Sequence, residues 1–281
     1  MTLSGTPSDN RAAIRDQVEQ MLGQQFDRQP QTEVLRAARY LTLGRGHRWR
    51  SLLTVASSHI FQPRDSRIVL PLACALEILH AASLALDDLP SMDNAKTRRG
   101  KPCLHLVFPR WVTDMVPAFL VNMAYTVYAD NPLASEERRI QGILLLGEMG
   151  AKLAQGQELD LALSGSRVSE SALLECYALK SGALFAAALA GAGILCGGKA
   201  TDVAALRESG LTLGQAYQFL DDLSESPDQD AGKCTAVTLL GLAGARIRAQ
   251  QLLADAVAPL SRFGPAAQPL CLLIQQLQTP V

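Results

Sequence analysis

The chain has 281 residues, of which 48% are apolar, and its formal net charge at pH 7 is −1. This length and composition are sufficient for one large hydrophobic core. The near-neutral charge gives no electrostatic basis for binding nucleic acid or an anionic membrane surface. Its six cysteines are scattered without a CxxC pair, which favours reduced thiols in a cytoplasmic protein over a zinc site.

The N-terminal part of the chain predicts a loose start followed by helices. Residues 1–10 are polar and predict a flexible N-terminus without the apolar segment of a signal peptide. Residues 11–26 carry apolar side chains at helical spacing, and one helical domain is expected over 11–281. A basic, glycine-containing segment at residues 44–50 precedes the apolar run 52–60. Such a segment can hold a phosphate at a helix start, although basic loops are more often simply solvated.

Residues 77–102 begin as an apolar helix and end in a dense group of charges. His80, Leu84 and Asp87 are spaced so that a helix places them on one face. Pro90 lacks a backbone N–H and clashes with the carbonyl four residues back, so the helix should end just before it. The break would let the chain fold back on the end of the helix.

The acidic groups at this break predict a cation site. Asp93 can return towards Asp87 and Asp88, and three crowded carboxylates repel one another unless cations lie between them. Hard oxygen ligands favour Mg²⁺, which commonly bridges carboxylates to a substrate phosphate. Arg98 and Arg99 follow immediately, and their guanidinium groups match phosphate oxygens.

The middle of the chain is predicted to form buried helices. Residues 111–129 and 141–163 have helical periodicity, and a long helix is expected from about residue 169 to 195 after a loop at 164–166. The run 181–196 is almost wholly apolar and resembles a membrane span. It is shorter than the ~20 residues that a bilayer requires and has no aromatic belt, so we interpret it as a core helix.

A second acidic cluster lies far downstream. Gln218, Asp221, Asp222 and Glu225 form one polar stripe on a helix that is otherwise apolar. A solvated face would normally include lysines, and this one does not. Two carboxylate clusters that face each other across an apolar interior would form a polymetal clamp for one diphosphate.

Two more helices are expected at residues 241–260 and 266–277. Helical periodicity dominates the whole chain, no stretch alternates convincingly as a strand, and the loops are short. We therefore predict an all-α, single-domain bundle of helices around a deep central cavity.

The sequence DDLPSMDNAKTRRGKP at residues 87–102 is a specific signature. With the downstream acids, it resembles the trans-polyprenyl diphosphate synthases, above all the bacterial geranylgeranyl diphosphate synthases of carotenoid pathways. The resemblance covers roughly residues 35–245. It implies an isoprenoid-synthase-type bundle, a homodimer, and condensation of isopentenyl diphosphate with an allylic diphosphate at two or three Mg²⁺ ions. No nucleic-acid partner and no membrane span are expected.

The resemblance also assigns roles to individual residues. The metal-binding aspartates would be Asp87, Asp88, Asp93, Asp221 and Asp222. The allylic diphosphate would be bound by Arg98, Lys180, Ser181 and Lys233, and Gln218 would also bind substrate. Lys180 and the five aspartates would be catalytic. Isopentenyl diphosphate would be bound by Gly46, His47, Arg48, Arg50, His80 and Arg99.

Some positions depart from the family pattern. His47 stands where the family has lysine, Ser51 where it has proline, and Ser181 where it has threonine. Glu225 replaces the usual aspartate, and the segment after Asp222 is short and keeps one Gly-Lys element of the usual two.

Two further elements concern product length and helix packing. Ala82 and Ser83 lie about one turn before Asp87, and their small side chains predict an open cavity and geranylgeranyl diphosphate as product. A Gly-Gln-x-x-Asp element of the family is matched by Gly156, Gln157 and Asp160. A helix-packing role and a binding role are equally open for that element.

Two alternative functions remain. The substituted basic residue and the short loop also fit a weakly active or non-catalytic partner subunit of an active synthase. A class I terpene cyclase shares the acids and the helical fold. Its second helix should carry an Asn/Ser/Glu metal triad, whereas this chain has Gln218, Asp221 and Asp222.

Overall fold

A computed structural model describes residues 7–44, 46–165, 168–224 and 234–278. Over these ranges the chain forms a bundle of α-helices with short connections. The helices are α1 (Pro7–Asp27), α2 (Glu33–Thr42), α3 (Trp49–Ser58), α4 (Leu70–Asp87), α5 (Leu104–Val107), α6 (Arg110–Ala129), α7 (Glu136–Leu163), α8 (Glu170–Tyr177), α9 (Ala183–Leu195), α10 (Ala200–Ser224), α11 (Ala236–Val257) and α12 (Gln268–Gln275). Short 3₁₀ turns at His59–Phe61, Ser66–Val69, Ala258–Ala267 and Gln276–Gln278 complete the helical part. The predicted all-α class is confirmed.

Capping hydrogen bonds from side chains determine where several helices begin. The side chains of Thr32 and Ser135 accept hydrogen bonds from backbone N–H groups in the first turns of α2 and α7. Thr235 and Thr238 form a reciprocal capping box at the start of α11. These side chains satisfy donors that have no partner within a helix, and they therefore fix where the helices begin.

Several predicted boundaries were wrong. Helix α1 begins at Pro7, within the segment predicted to be loose, because proline is well suited to the first helical position. The helix predicted over 169–195 is divided by a π-helical turn at Ala178–Gly182. Helix α7 begins earlier than residue 141, and α11 begins earlier than residue 241, with a kink at Gly241. Of the expected loop at 164–166, residue 166 lies outside the described residues.

A small antiparallel ribbon follows α4, where no strand was predicted. It consists of β1 (Thr97–Arg98) and β2 (Lys101–Pro102). The turn between them places Arg99 and Gly100 at positive φ angles of 54° and 75°. Two residues per strand are too few to produce an alternating pattern in the sequence. The ribbon holds two arginines directly beyond the end of α4.

Helix α9 is at the centre of the bundle and packs against α3, α4, α7 and α10. Its residues Ala183–Gly193 are all buried. The contact with α10 is close enough that a Cβ on Gly214 would lie 2.1 Å from the Cα of Gly182. A Cβ on Gly210 would lie 2.4 Å from the Cα of Ala186. The small residues therefore bring the backbones of α9 and α10 into direct contact.

Two helical stretches, Ser66–Asp87 and Glu170–Leu195, are long and apolar enough to cross a membrane by length and composition. In the bundle, 83% and 78% of their apolar windows are buried. Burial of this extent is typical of core helices.

We expect Gly214→Ala to reduce the free energy of unfolding by at least about 1–3 kcal/mol, because its Cβ would force α9 and α10 apart. The matched control is Gly150→Ala on α7, where a Cβ would meet nothing within 4 Å. That change should be neutral or should stabilise the helix by up to about 1 kcal/mol. Urea denaturation followed by circular dichroism measures both, and equal unfolding midpoints would contradict the close packing.

Candidate functional site

A cavity of about 710 Å³ opens between α3, α4, the ribbon, α7, the π-helical turn and α10. Carboxylates, guanidinium groups and a lysine from these elements converge on it. Apolar side chains of Leu84, Leu153 and Leu184 complete its lining. It is therefore a charged site set in the apolar bundle.

The end of α4 supplies the first acidic group. His80, Leu84 and Asp87 all line the cavity, as the helical spacing predicted. Helix α4 ends at Asp87, before Pro90, and the N–H of Asp93 donates to the carbonyl of Asp87 at 3.0 Å. Both carboxylates of this pair, Asp87 and Asp93, line the cavity.

The charge of Asp87 is not fully compensated in the structure. Burial raises the pKa of Asp87 to about 6, and the nearby carboxylates of Asp93 and Asp88 act in the same direction. The cations Lys180 and Arg98 oppose this rise. An additional cation at this position would relieve the repulsion.

Asp88 does not line the cavity, although it was predicted to bind metal. Its carboxylate is buried and accepts hydrogen bonds from Arg98 Nη2 at 2.6 Å and Nε at 3.1 Å. Successive residues on a helix point about 100° apart, and here that rotation together with the ion pair to Arg98 turns Asp88 away from the cavity that Asp87 lines. Asp88 instead fixes Arg98, which lines the cavity.

The second acidic cluster lies on α10. Gln218, Asp221 and Asp222 line the cavity, and the Ser181 hydroxyl donates to Gln218 at 2.7 Å. Two predicted positions, Glu225 and Lys233, lie outside the described residues.

Asp222 is held by the protein itself. Its buried carboxylate accepts hydrogen bonds from the Tyr177 hydroxyl at 2.5 Å, the Ala236 N–H at 2.7 Å and the Gln218 amide at 3.3 Å. Burial raises the pKa of Asp222, and these three donors oppose the rise. The carboxylate thus joins α8, α10 and the start of α11, a role that the acidic pattern alone did not indicate.

Lys180 enters the cavity from the π-helical turn. Its Nζ lies 2.6 Å from the carboxylate of Asp160 on α7. Burial opposes the charge, but the carboxylates of Asp160 and Asp87 raise the pKa of Lys180 above its usual value. A Cβ on Gly156 would lie 2.2 Å from the Lys180 backbone nitrogen, so glycine is required for this approach. Because Asp160 binds Lys180 at the cavity, the geometry favours a binding role for Asp160 over a helix-packing role.

A group of basic side chains also lines the cavity. His47, Arg50, His80 and Arg99 line it, and the Arg50 guanidinium lies 4.8 Å from the centre of the Phe185 ring. Burial and the surrounding arginines lower the pKa of His80 well below its usual value, so this imidazole is neutral. A Cβ on Gly46 would lie 3.1 Å from Arg99 Nη1, so the glycine leaves room for that side chain.

Arg48 was predicted to bind substrate, but its guanidinium is engaged by the protein. It donates to Glu19 at 2.7 Å, to Glu77 at 3.1 Å and to the carbonyl of Thr42 at 2.8 Å. Arg48 is buried and has a left-handed backbone with φ 54°. Its side chain therefore ties α1 and α4 to the segment before α3.

Ser51 completes this network. Its hydroxyl and its N–H donate to Glu77 at 2.9 and 3.2 Å. A proline at this position would supply neither donor. Ser51 thus contributes two hydrogen bonds to Glu77 that a proline could not make.

The two residues predicted to control product length occupy different environments. Ser83 lines the cavity, and its hydroxyl donates to the carbonyl of His80 at 2.9 Å. Ala82 is buried in the core, with 2% of its surface exposed, and does not line the cavity. The expectation that both face a substrate tail is corrected for Ala82, because adjacent helical residues diverge.

The donor set fits a hard divalent cation that also binds a ligand. Over the described ranges, no group of three or more His, Cys, Asp or Glu side chains could hold a metal by itself. Asp87, Asp93 and Asp221 nevertheless present carboxylate oxygens to one cavity. Mg²⁺ in proteins commonly uses one or two carboxylates together with waters and substrate phosphates.

The chain is similar to known proteins over most of its length. A family model described as Polyprenyl synthetase matches residues 31–258. The chain is 39% identical over 184 residues to a geranylgeranyl diphosphate synthase of Pantoea ananas, covering 62% of this chain and 60% of that relative. It is 33% identical over 269 residues to a probable farnesyl diphosphate synthase of Bradyrhizobium diazoefficiens, covering 88% and 79%.

A solved structure shows the same architecture. The crystal structure of an FPP/GFPP synthase from Zymomonas mobilis aligns with a TM-score of 0.87 at 30% identity. The alignment covers 97% of this chain and 99% of that one.

The raised pKa of Asp87 predicts a pH-dependent stability in metal-free protein. Its folded value of about 6 lies above the ordinary 3.8, so the folded chain binds this proton more tightly than the unfolded chain. The free energy of unfolding should therefore fall as pH rises from about 4 to 6, by at most about 3 kcal/mol. With EDTA present, Asp87→Asn should raise the unfolding midpoint at pH 8 and have little effect at pH 4.5.

The control for this measurement is Asp114→Asn, a surface position on α6. This variant should show no pH-dependent increase in the unfolding midpoint. An equal increase in the unfolding midpoint from Asp87→Asn at both pH values would contradict the raised pKa of Asp87.

Proposed function

The chain belongs to the polyprenyl synthetase family, and from this we propose that it condenses isopentenyl diphosphate with an allylic diphosphate to form a trans-polyprenyl diphosphate. One observation carries the proposal. Carboxylates from the end of α4 and from α10 line a single cavity, in which Lys180 interacts with Asp87 and a separate basic group is formed by His80, Arg50 and Arg99. Two anionic substrates thus have separate places in one site.

The acidic side would hold the allylic diphosphate. We assign Asp87, Asp93 and Asp221 to two or three Mg²⁺ ions, while Lys180 and Arg98 would bind the diphosphate directly. When bound, Mg²⁺ would neutralise the negative charge that develops on the departing diphosphate. Lys180 is well prepared for this role because Asp160 and Asp87 keep its ammonium charged. Asp88 and Asp222 would act by positioning Arg98 and α11.

The basic side would hold isopentenyl diphosphate. Burial lowers the pKa of Arg50 and of Arg99, and for Arg99 the neighbouring arginines, Arg50 among them, act in the same direction. A diphosphate would supply the missing negative charge. The neutral imidazole of His80 can donate one hydrogen bond without adding to the repulsion.

The reaction balances without a strong protein base. The allylic C–O bond breaks with its electron pair on the diphosphate, and the double bond of isopentenyl diphosphate forms the new C–C bond. The departing diphosphate accepts the proton that is then lost. Leu84, Leu153 and Leu184 would keep water from the allylic cation, which water would otherwise quench.

We further propose geranylgeranyl diphosphate as the product. The relatives include both geranylgeranyl and farnesyl diphosphate synthases. The small side chain of Ser83, which lines the cavity about one turn before Asp87, favours the longer product because an aromatic residue there would occupy the path of the tail.

We also propose that the enzyme is a cytoplasmic homodimer. Helices α6 and α7 carry large apolar side chains on the surface, among them Trp111 at 58% exposure and Leu144 at 68%. Met115 and Ile140 extend these faces. A second copy is the occupant that the family resemblance implies. All six cysteines are free thiols, in keeping with a reducing compartment.

Asp87→Ala and Asp221→Ala should each reduce turnover by about 10²–10³-fold or more, the loss typical of one electrostatic contact in a transition state. The assay combines purified protein with isopentenyl diphosphate, a C5, C10 or C15 allylic diphosphate, and Mg²⁺. Asp255→Ala, at an exposed acid on α11, should be unaffected. Near-normal activity of either cavity variant would show that its carboxylate takes no part in the reaction.

An inactive wild-type protein that co-purifies with an active relative would favour the partner-subunit alternative. Release of a cyclic hydrocarbon from a single allylic substrate would favour the cyclase alternative.

Product length gives a separate test. The wild type should release C20 diphosphate, and Ser83→Tyr should shift the product to C15, because the new ring would fill cavity space below the metal-binding carboxylates. Chromatography of dephosphorylated products measures both, with Ala254→Tyr on the exposed face of α11 as the control. A C15 product from the wild type would overturn the assignment. An unchanged product from Ser83→Tyr would show that the tail does not pass this residue.

A further inference from the structure

Two tyrosines line the cavity, and their hydroxyl groups differ in their partners. Tyr177 donates to Asp222 at 2.5 Å and is part of the framework. Tyr217 lies on α10, one helical turn before Asp221. Within the described ranges, its hydroxyl makes no hydrogen bond. Its polar end is therefore available to a ligand.

The position of the Tyr217 ring is determined by packing. The ring centres of Tyr217 and Phe185 are 5.3 Å apart, and the Arg50 guanidinium lies 4.8 Å from the centre of the Phe185 ring. Helices α9 and α10 are in close contact, so this arrangement has little freedom. Tyrosine in such a setting presents a fixed apolar body and a polar tip.

The surroundings of the Tyr217 hydroxyl are charged on both sides. Burial raises the pKa of Tyr217, and it interacts electrostatically with Asp221, Arg50 and Arg99. The phenol therefore keeps its proton at neutral pH and can act as a donor. It lies within electrostatic range of both the acid on α10 and the guanidinium groups of Arg50 and Arg99.

Arg50 provides a second observation that points to a ligand. Its Nε is buried and has no hydrogen-bond partner in the described part of the chain. Buried donors in native proteins are normally paired, so an acceptor is expected beside Arg50 when the site is filled. An anion that reaches this nitrogen and Arg99 would also come to the Tyr217 hydroxyl.

On the basis of the proposed prenyl transfer, we propose that the Tyr217 hydroxyl is a substrate-binding group that donates a hydrogen bond to the diphosphate of isopentenyl diphosphate, beside Arg50 and Arg99. The site on α10 would then serve both substrates. Asp221 would face the allylic diphosphate, and Tyr217, one turn earlier, would face the other diphosphate.

Tyr217→Phe removes the hydroxyl and keeps the ring that packs on Phe185. Loss of a hydrogen bond to a charged group corresponds to about a 10- to 100-fold weaker affinity. We therefore expect KM for isopentenyl diphosphate to rise by about this factor, with kcat within about threefold and KM for the allylic substrate unchanged. The melting temperature should match the wild type.

The experiment combines steady-state kinetics with calorimetric titration of isopentenyl diphosphate, so that binding is measured apart from turnover. Tyr125→Phe, a half-buried tyrosine on α6 outside the cavity, is the matched control and should change neither quantity. The same affinity for wild type and Tyr217→Phe would overturn the proposal, as would a rise confined to KM of the allylic substrate. A wild type that binds isopentenyl diphosphate without turnover would refute the proposed function, while the binding comparison would still decide the role of Tyr217. A wild type that does not bind isopentenyl diphosphate would overturn both.

Discussion

The buried ion pair between Arg48 and Glu77 is the interaction on which the arrangement of the site depends. It joins α4 to the segment before α3, and Glu19 extends it to α1. Both charges are desolvated, so each is tolerable only because the other and the hydrogen bonds around it are present; removing one partner of such a pair typically costs about 3–5 kcal/mol. The guanidinium of Arg48 is held in this network at the edge of the cavity, which His47 and Arg50 also line. The same pair anchors α4, whose last turn carries Asp87.

The structure explains which parts of this site sequence reasoning could predict. Helical periodicity and the position of Pro90 were sufficient to predict that His80, Leu84 and Asp87 share one face of α4 and that the helix ends near Asp87. Both signals depend only on local geometry. The same reasoning failed where it treated neighbouring acids as one group. Asp88 is turned away from the cavity towards Arg98, and Asp222 lines the cavity but is engaged by Tyr177, Gln218 and Ala236, so both act as framework groups.

Tertiary contacts account for the rest of what was missed. Neither the pairing of Arg48 with Glu77 nor that of Lys180 with Asp160 follows from spacing, because each joins distant segments. Tyr217 could have been found, since it lies four residues before Asp221 on the same helical face. The sequence predicted the helical class and the general place of the catalytic cavity, whereas the division between framework and substrate-facing charges required the packed structure.

The π-helical turn at Ala178–Gly182 also bears on how this protein can change in evolution. Such a turn contains one residue more than the α-helix it interrupts. Upstream of it, Tyr177 is tied to Asp222, and downstream Gly182 touches Gly214, so both ends are held in register by α10. Deleting one residue here would restore a regular helix and rotate one end by about 100° against the other. Loops in this bundle can accept insertions and deletions, but in this helix selection acts on the number of residues as well as on their identity.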